Sequence, residues 1–276
     1  MRPSEVLTRA TAYLERHGVD GARDSAEALM MTILSTDRAG LYARTDGLST
    51  SEARTFGRAL CQRCAGTPLQ HLTAEQAFRR ITVKVRPGVF IPRPETEVLV
   101  DVALEWLRER RESVVVDVGT GTGALALAIA DERSGSSVFA TDLSAEAVEL
   151  ARENGARLGL SITVLRGDLL EPLPHELCGA VDLVVSNPPY VTAVEYDDLP
   201  AEVRADPRLA LLGGTSLHQR LAAEAMGWLR RGGALAMEIG ATQGPDVAKI
   251  VECSYEDVRI VPDLAGRDRI VAGRRP

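Results

Sequence analysis

An apolar run, a glycine-rich turn and a helical run follow one another near the middle of this chain. Residues 114–118 are mostly β-branched and apolar, and residues 124–130 are small or apolar. The turn between them consists of Gly119, Thr120, Gly121, Thr122 and Gly123. Glycines let the backbone approach a ligand closely, and a helix N-terminus offers unpaired N–H groups. The pattern predicts a parallel α/β sheet with a ligand cradle, although nicotinamide and flavin enzymes use a related pattern.

Two further predicted strands end in acidic residues. Residues 137–141 form a strand that ends at Asp142, and residues 162–165 form one that ends near Asp168. Open α/β sheets bind their ligands at the carboxyl ends of the strands. An acidic side chain at Asp142 suits the two hydroxyls of a ribose, and Asp168 suits an adenine amino group. Independent turns without a shared ligand would require all of these features to coincide in register.

A fourth apolar run, residues 181–186, ends in a proline-locked tip. The tip consists of Asn187, Pro188, Pro189 and Tyr190. The prolines lack N–H groups and fix φ, so the strand must end there, and Asn187 is pushed toward an extended conformation. The Asn187 carboxamide, the Pro188 carbonyl and the Tyr190 ring together suit a planar group that carries an NH2. A turn that only terminates the strand is the alternative interpretation.

These motifs resemble those of a known family. The glycine turn and the Asn-Pro-Pro-Tyr tip are similar to motifs of amino-group methyltransferases that use S-adenosylmethionine. The segment Phe-Ile-Pro-Arg-Pro-Glu-Thr-Glu at residues 90–97 resembles the signature of the HemK/PrmC family, the protein-(glutamine-N5) methyltransferases of class-one peptide release factors. Further matches run from Pro68 to the C-terminus. The resemblance implies a Rossmann-like, seven-stranded α/β fold that uses S-adenosylmethionine, with a small N-terminal helical bundle and a linking β-hairpin.

The resemblance also implies which residues hold the cofactor. The glycine turn would hold its methionine portion, Asp142 its ribose, and Asp168 with Leu169 its adenine. Asn187 would border both the cofactor and the substrate. No metal is expected. Arg93 would form part of the substrate wall, with a simple helix-end cation as an equal alternative.

The tip residues would then promote the reaction by holding the substrate amide in position for methyl transfer. An amide nitrogen is a poor nucleophile because its lone pair is delocalised into the carbonyl. The Asn187 side-chain oxygen and the Pro188 carbonyl could each accept one N–H of a substrate amide and point its nitrogen at the methyl group. Tyr190 would pack on the flat amide beside Pro189. A proton could leave late to water, so this interpretation requires no strong general base.

The hydrophobic periodicity of the sequence changes along the chain and predicts its domain organisation. Helical periodicity and interspersed glycines predict a bundle of four or five short helices over residues 1–75, expected to dock the substrate. Alternating residues from Ile81 predict a β-hairpin linker over residues 76–92, with its turn at Pro87-Gly88. Strands and helices alternate in residues 93–276, the predicted methyltransferase domain. Residues 257–261 and 269–271 are expected to form a closing antiparallel pair.

Charge and cysteine content restrict the partners. The first 86 residues carry a net charge of +4 and the remainder −11, so we expect no stable DNA binding by the acidic catalytic half. The basic N-terminal part is either a solvated face or a surface for an acidic protein or RNA. Cys61 and Cys64 have the spacing of half a zinc site or of a redox pair, but thiols without a ligand are the better interpretation. We expect a cytoplasmic monomer without a membrane span.

Several alternatives stay open at this level. The chain departs from the family pattern in four substrate-side segments: residues 73–75, 79–80, 205–207 and 213–218. The leading hypothesis is methylation of the Gly-Gly-Gln glutamine of release factors. A related amino-group methyltransferase acting on a nucleic-acid base, a metabolite amine or another protein is the second hypothesis. A binding module that has kept the fold is the third, and an NAD-dependent oxidoreductase the most distant.

Overall fold

The computed structural model describes residues 2–276 and divides into two compact units. The helical unit contains residues up to Glu75 together with Pro200–Ala205, and the sheet unit contains Gln76–Leu199 and Asp206–Pro276. Within the described residues, no helix combines the length and the apolar character that crossing a membrane requires.

The helical unit is built from five N-terminal helices and one short later helix. They are α1 (Pro3–Arg16), α2 (Ala22–Leu34), α3 (Arg38–Ala43), α4 (Thr50–Cys64), α5 (Leu69–Thr73) and, from the later segment, α10 (Ala201–Arg204). The apolar faces of the N-terminal helices enclose Leu14, Met30 and Phe56. The Ser49 hydroxyl accepts a hydrogen bond from the Glu52 backbone N–H and caps α4. The N-terminal helices expected from the sequence are confirmed.

A short hairpin begins at the end of the helical unit. Its strands are β1 (Glu75–Phe78) and β2 (Ile81–Lys84), so its turn lies at Arg79-Arg80. The turn predicted at Pro87-Gly88 is therefore wrong as a hairpin turn. The reason is that the backbone N–H and carbonyl of Lys84 are bonded to the Asn154 side chain, at 2.7 and 3.1 Å, and not to a further strand.

The main sheet has seven strands and confirms the predicted fold class. The strands are β3 (Ser113–Val118), β4 (Ser136–Asp142), β5 (Thr163–Arg166), β6 (Val181–Ser186), β7 (Leu229–Glu238), β8 (Glu256–Pro262) and β9 (Asp268–Arg274). Their order is β5-β4-β3-β6-β7-β9-β8. The first five strands in this order are parallel, whereas β9 runs antiparallel to β7 and β8 antiparallel to β9. The closing antiparallel pair predicted from the sequence is present.

Helices cover the sheet in two layers because every central strand is apolar on both faces. One layer contains α6 (Glu97–Leu107), α7 (Ala124–Glu132) and α8 (Ala145–Leu158), and the other contains α12 (Ser216–Trp228) and α13 (Gly244–Glu252). The short helices α9 (Ala193–Asp197) and α11 (Arg208–Leu211) belong to the segment between β6 and α12. The sheet order reverses between β3 and β6, and such a switch point opens a crevice at the carboxyl ends of the strands.

Candidate active site

Strand register brings the predicted site residues into one row. Val118 lies beside Thr141 on one side and beside Ser186 on the other, and Ser186 lies beside Met237. The residues that follow these positions are Asp142, Gly119, Asn187 and Glu238. A hydrogen bond of 2.7 Å from the Ser186 hydroxyl to the Val118 carbonyl holds the two central strand ends together. The crevice at the switch point is therefore bordered by residues at the ends of four strands.

The glycine turn adopts the conformation that its sequence requires. Gly119, Gly121 and Gly123 all have positive φ, at 73°, 55° and 82°. A Cβ on Gly119 or Gly121 would meet nothing within 4 Å, so these positions border open space. A Cβ on Gly123 would lie 3.1 Å from that of Ala151, so this glycine permits close helix packing. The turn thus combines an open cradle with a tightly packed base.

Asp142 connects the second strand to the glycine turn. One carboxylate oxygen accepts the Gly121 N–H and the other the Ser144 N–H, both at 2.9 Å. Burial raises the pKa of Asp142, and these backbone donors oppose that rise. Each oxygen keeps a second lone pair, so the carboxylate can still accept two hydroxyl groups of a ribose.

Asp168 and Leu169 follow the third parallel strand, as predicted. Asp168 is partly exposed and accepts a hydrogen bond of 2.8 Å from Arg220. Leu169 adopts a left-handed φ of 44°, and its carbonyl accepts the Thr141 hydroxyl at 2.7 Å. Strain in a non-glycine residue persists only where the surroundings hold it. The loop is therefore a fixed wall of the crevice beside Asp142.

The proline tip leaves two acceptors unused. Asn187 is half-buried, and its side-chain nitrogen donates to the Thr96 hydroxyl at 3.0 Å. Neither the Asn187 side-chain oxygen nor the Pro188 carbonyl accepts a hydrogen bond from any residue that the structure describes. Tyr190 is half-buried, and burial followed by the charge of Glu238 raises the pKa of its hydroxyl. The tip therefore keeps two unused acceptor oxygens, and their role toward a substrate, like that of the Tyr190 ring, stays a prediction.

Contacts behind the tip hold its backbone. The Gln243 side chain donates to the Tyr190 carbonyl at 2.8 Å and accepts the Gly240 N–H at 3.0 Å. The Val191 carbonyl accepts the Gly213 N–H at 3.1 Å. A Cβ on Gly213 would lie 2.1 Å from the Pro189 carbonyl oxygen. The tip is therefore fixed by direct backbone contact as well as by its own prolines.

Arg93 is engaged in an ion pair. Its guanidinium contacts the buried carboxylate of Asp206 and lies 5.2 Å from the centre of the Phe90 ring. The other Asp206 oxygen accepts the Ile91 N–H at 3.1 Å. Burial raises the pKa of Asp206, and the Arg93 charge opposes this rise. Arg93 thus holds the Phe90–Arg93 segment in place, and a direct role toward a substrate stays a prediction.

Sequence reasoning missed several residues of this site. Thr96 and Glu238 contact the tip, and Asp206 pairs with Arg93. His218 is fully buried and bonds the Glu238 carbonyl at 2.8 Å. Both Thr96 and Glu238 lie in segments that match the family pattern, which was the available signal. Asp206 lies in a segment that departs from that pattern.

Asp117 is a further buried carboxyl at this edge of the sheet. The Thr120 hydroxyl donates to one of its oxygens at 2.6 Å, and the other oxygen has no partner among the described residues. Burial raises the pKa of Asp117 to about 7, and hydrogen bonds from the Thr120 hydroxyl and the Ala126 backbone N–H oppose this rise. An orphaned acceptor beneath an open glycine cradle fits a site that binds a ligand carrying donors or positive charge.

Comparisons with known proteins identify the relatives of this chain. The family model of the PrmC N-terminal domain matches residues 5–73, and that of the methyltransferase small domain matches residues 80–203. A release factor glutamine methyltransferase of Moorella thermoacetica is 41% identical, covering 96% of this chain and 95% of the relative. Its counterpart of the same name in Deinococcus radiodurans is 39% identical, covering 100% and 99%.

One solved structure supports the fold alone. The T. thermophilus 16S rRNA N2 G1207 methyltransferase, in complex with AdoMet and guanosine, matches with a TM-score of 0.54 at 20% identity. The match covers 73% of this chain and 50% of that chain.

The fold and the crevice define a methyltransferase of the S-adenosylmethionine-dependent class. Because full-length relatives are 31–41% identical, the chain belongs to the release factor glutamine methyltransferase family. The residues present fit the cofactor, since the glycine cradle is open, the Asp142 oxygens have spare lone pairs and Asp117 keeps an orphaned acceptor.

Proposed function

We propose that this enzyme methylates the side-chain amide nitrogen of a glutamine in peptide release factors, the glutamine of their Gly-Gly-Gln motif. One observation carries the proposal. The Asn187 side-chain oxygen and the Pro188 carbonyl are both unused acceptors on a rigid strand end. A primary carboxamide has two N–H groups, so two neighbouring unused acceptors match it. The names of the full-length relatives support the same substrate.

The proposed mechanism is positional. With one N–H on each acceptor, the substrate amide cannot rotate, and its nitrogen is held toward the crevice where the cofactor binds. Tyr190 packs against the flat amide and excludes water from one face. The raised pKa of its hydroxyl keeps Tyr190 neutral, so it adds no charge beside the amide. Pro189 contributes stiffness, because its ring fixes φ.

The cofactor site is proposed from the same row of strand ends. The turn from Gly119 to Gly123, including Thr120 and Thr122, would hold the methionine portion, and Asp142 the ribose. Asp168 and Leu169 would border the adenine. When bound, S-adenosylmethionine would supply a methyl group carried on a sulfonium. Its transfer to the amide nitrogen would break the S–C bond, leave a neutral thioether and release one proton from the amide.

We further propose roles for the other segments. The helical bundle, residues 1–75, would dock the release factor. Residues 76–92 would link this bundle to the methyltransferase domain, residues 93–276, which would carry out catalysis. Arg93 would border the substrate while paired with Asp206. The enzyme would work as a monomer in the cytoplasm, in translation termination, without stable DNA binding.

A labelling experiment tests the substrate. The protein is incubated with cofactor labelled on its methyl group and with purified release factor, either wild-type or with the Gly-Gly-Gln glutamine replaced by asparagine. We expect label on the wild-type factor alone. Equal labelling of both factors would place the methyl group elsewhere. Absence of label from both, with cofactor binding intact by calorimetry, would overturn the proposed substrate.

A further inference from the structure

A continuous series of hydrogen bonds connects the Asn187 side chain in the tip to Thr96 and then to Glu238. The Asn187 side-chain nitrogen lies 3.0 Å from the Thr96 hydroxyl, which lies 2.6 Å from a Glu238 carboxylate oxygen. Thr96 is 5% exposed and Glu238 is 1% exposed. These residues come from three separate elements: the single turn before α6, the end of β6 and the end of β7.

These hydrogen bonds run in one donor-to-acceptor direction, because the three side chains differ in whether they can donate a proton. An ionised Glu238 can only accept, so the single Thr96 proton must point to it. The Thr96 oxygen is then left with lone pairs only, and it can bind Asn187 solely through the carboxamide NH2. The Asn187 oxygen must therefore face the opposite way, away from Thr96.

We propose that Thr96 and Glu238 are positioning residues that hold the Asn187 carboxamide with its oxygen toward the substrate. This inference rests on the proposed function, in which that oxygen accepts a substrate N–H. A carboxamide turned by 180° has nearly the same shape but presents an NH2 at the same place. Such an NH2 would face the substrate NH2 as donor against donor, so a turned Asn187 would repel the amide that it should hold.

The environment of Glu238 makes the direction dependent on pH. Burial raises the pKa of Glu238 to about 7, and the Thr96 hydrogen bond and the Arg269 charge oppose this rise. Glu95 raises the pKa further, and the Tyr190 hydroxyl lies 3.5 Å from the second carboxylate oxygen. On the remaining side, the His218 ring bonds the Glu238 backbone carbonyl at 2.8 Å.

Protonation of Glu238 would reverse the donor-to-acceptor direction of these hydrogen bonds. A protonated Glu238 can donate to the Thr96 oxygen, which frees the Thr96 proton to donate to the Asn187 oxygen. The carboxamide would then present its NH2 to the substrate. Since the productive direction needs the ionised carboxylate, turnover should fall as the pH drops through about 7.

Matched substitutions at Thr96 test the proposal. Thr96→Val keeps the shape and removes the hydroxyl, whereas Thr96→Ser keeps the hydroxyl. We expect Thr96→Val to lower kcat by about tenfold to a hundredfold, with the affinity for S-adenosylhomocysteine unchanged by calorimetry. Thr96→Ser should stay within about threefold of the wild type. Wild-type kcat in Thr96→Val would overturn the proposal.

A spectroscopic readout needs neither cofactor nor substrate. The Asn187 side-chain NH2 signals in a 15N–1H spectrum are the pair missing in Asn187→Ala. We expect these signals to shift with a midpoint near pH 7 in the wild type and in Thr96→Ser. Glu238→Gln should remove the titration. Signals that do not respond to pH in the wild type would overturn the proposal.

The two readouts separate this inference from the proposed function. If the wild type does not label release factors but the Asn187 signals titrate and lose this response in Glu238→Gln, the positioning role stands and the substrate is wrong. If release factors are labelled and Thr96→Val turns over normally, the substrate stands and the positioning role is wrong.

Discussion

Glu27 in the helical unit and the polar groups at the strand ends of the sheet unit differ in how fully their hydrogen-bonding capacity is used. Glu27 is buried, and its carboxylate contacts Arg23, Arg38 and the Tyr42 hydroxyl at 3.0, 3.0 and 2.6 Å. At the strand ends, one oxygen of Asp117 has no partner among the described residues.

The two environments shift pKa values in opposite directions. The Tyr42 hydrogen bond, followed by that of Arg23, holds the pKa of Glu27 below its ordinary range. Burial raises the pKa of Asp117 to about 7. The difference indicates that a buried carboxylate with hydrogen-bond partners on both oxygens stabilises the fold. A buried carboxylate with an unpaired oxygen instead indicates a site where a ligand supplies the missing hydrogen bond.

The largest expected effect comes from removing an unused acceptor. Asn187→Ala should lower turnover by about a thousandfold or more, because the substrate amide loses one of its two fixed contacts. Cofactor affinity by calorimetry should change little, since the glycine turn and Asp142 are untouched, and the thermal midpoint should fall only slightly, through loss of the 3.0 Å hydrogen bond to Thr96. Near-normal turnover in this variant would contradict the assignment of the tip.

A smaller loss should follow when the tip is displaced with its acceptors intact. In Gly213→Ala the new Cβ would fall 2.1 Å from the Pro189 carbonyl oxygen, so the tip must shift. We expect turnover to drop by about a hundredfold, since a shift of about 1 Å is enough for that effect. Gly227→Ala in α12 is the matched control, because its Cβ would meet nothing within 4 Å. Equal losses in both variants would show that the Pro189 contact is irrelevant.

Substitution of Glu27 should affect stability and not the site. Glu27→Gln removes the charge that binds Arg23 and Arg38, and it should lower the thermal midpoint by about 2–4 °C. Most of the gain from these exposed arginines is screened by solvent, so the effect is modest. Cofactor affinity should stay at the wild-type value. A calorimetric change in that affinity would break the distinction between the two kinds of buried carboxylate.

The smallest expected effect per pH unit is a change in how steeply the thermal midpoint depends on pH. Asp117 has a folded pKa raised to about 7, so the wild type loses stability as the pH rises from about 4 to 7, and Asp117→Asn should lack that loss. Glu27 has a lowered pKa, so its contribution is lost as the pH falls, and Glu27→Gln should lack that loss instead. The Glu27 change lies below about pH 4.5, so thermal midpoints of both variants against the wild type are measured from about pH 2 to about pH 8. Slopes of the same sign would contradict the comparison.

Much of the fold and part of the site follow from local patterns. β6 was predicted with its observed bounds, Val181–Ser186, because the prolines after it cannot pair. The hairpin turn was misplaced, because the bonds between Lys84 and Asn154 on α8 have no local signature. The same limitation hid the partner of Arg93, since Asp206 lies 113 residues away.

Local sequence was sufficient to place Gly119, Asp142 and Asn187 at one edge, because parallel strands must align their carboxyl ends. It could not orient the Asn187 carboxamide. That orientation depends on Thr96, 91 residues earlier, and on Glu238, 142 residues beyond Thr96. Hydrogen bonds between such distant residues leave no periodicity in the chain, so they emerge when the strands and helices pack around them.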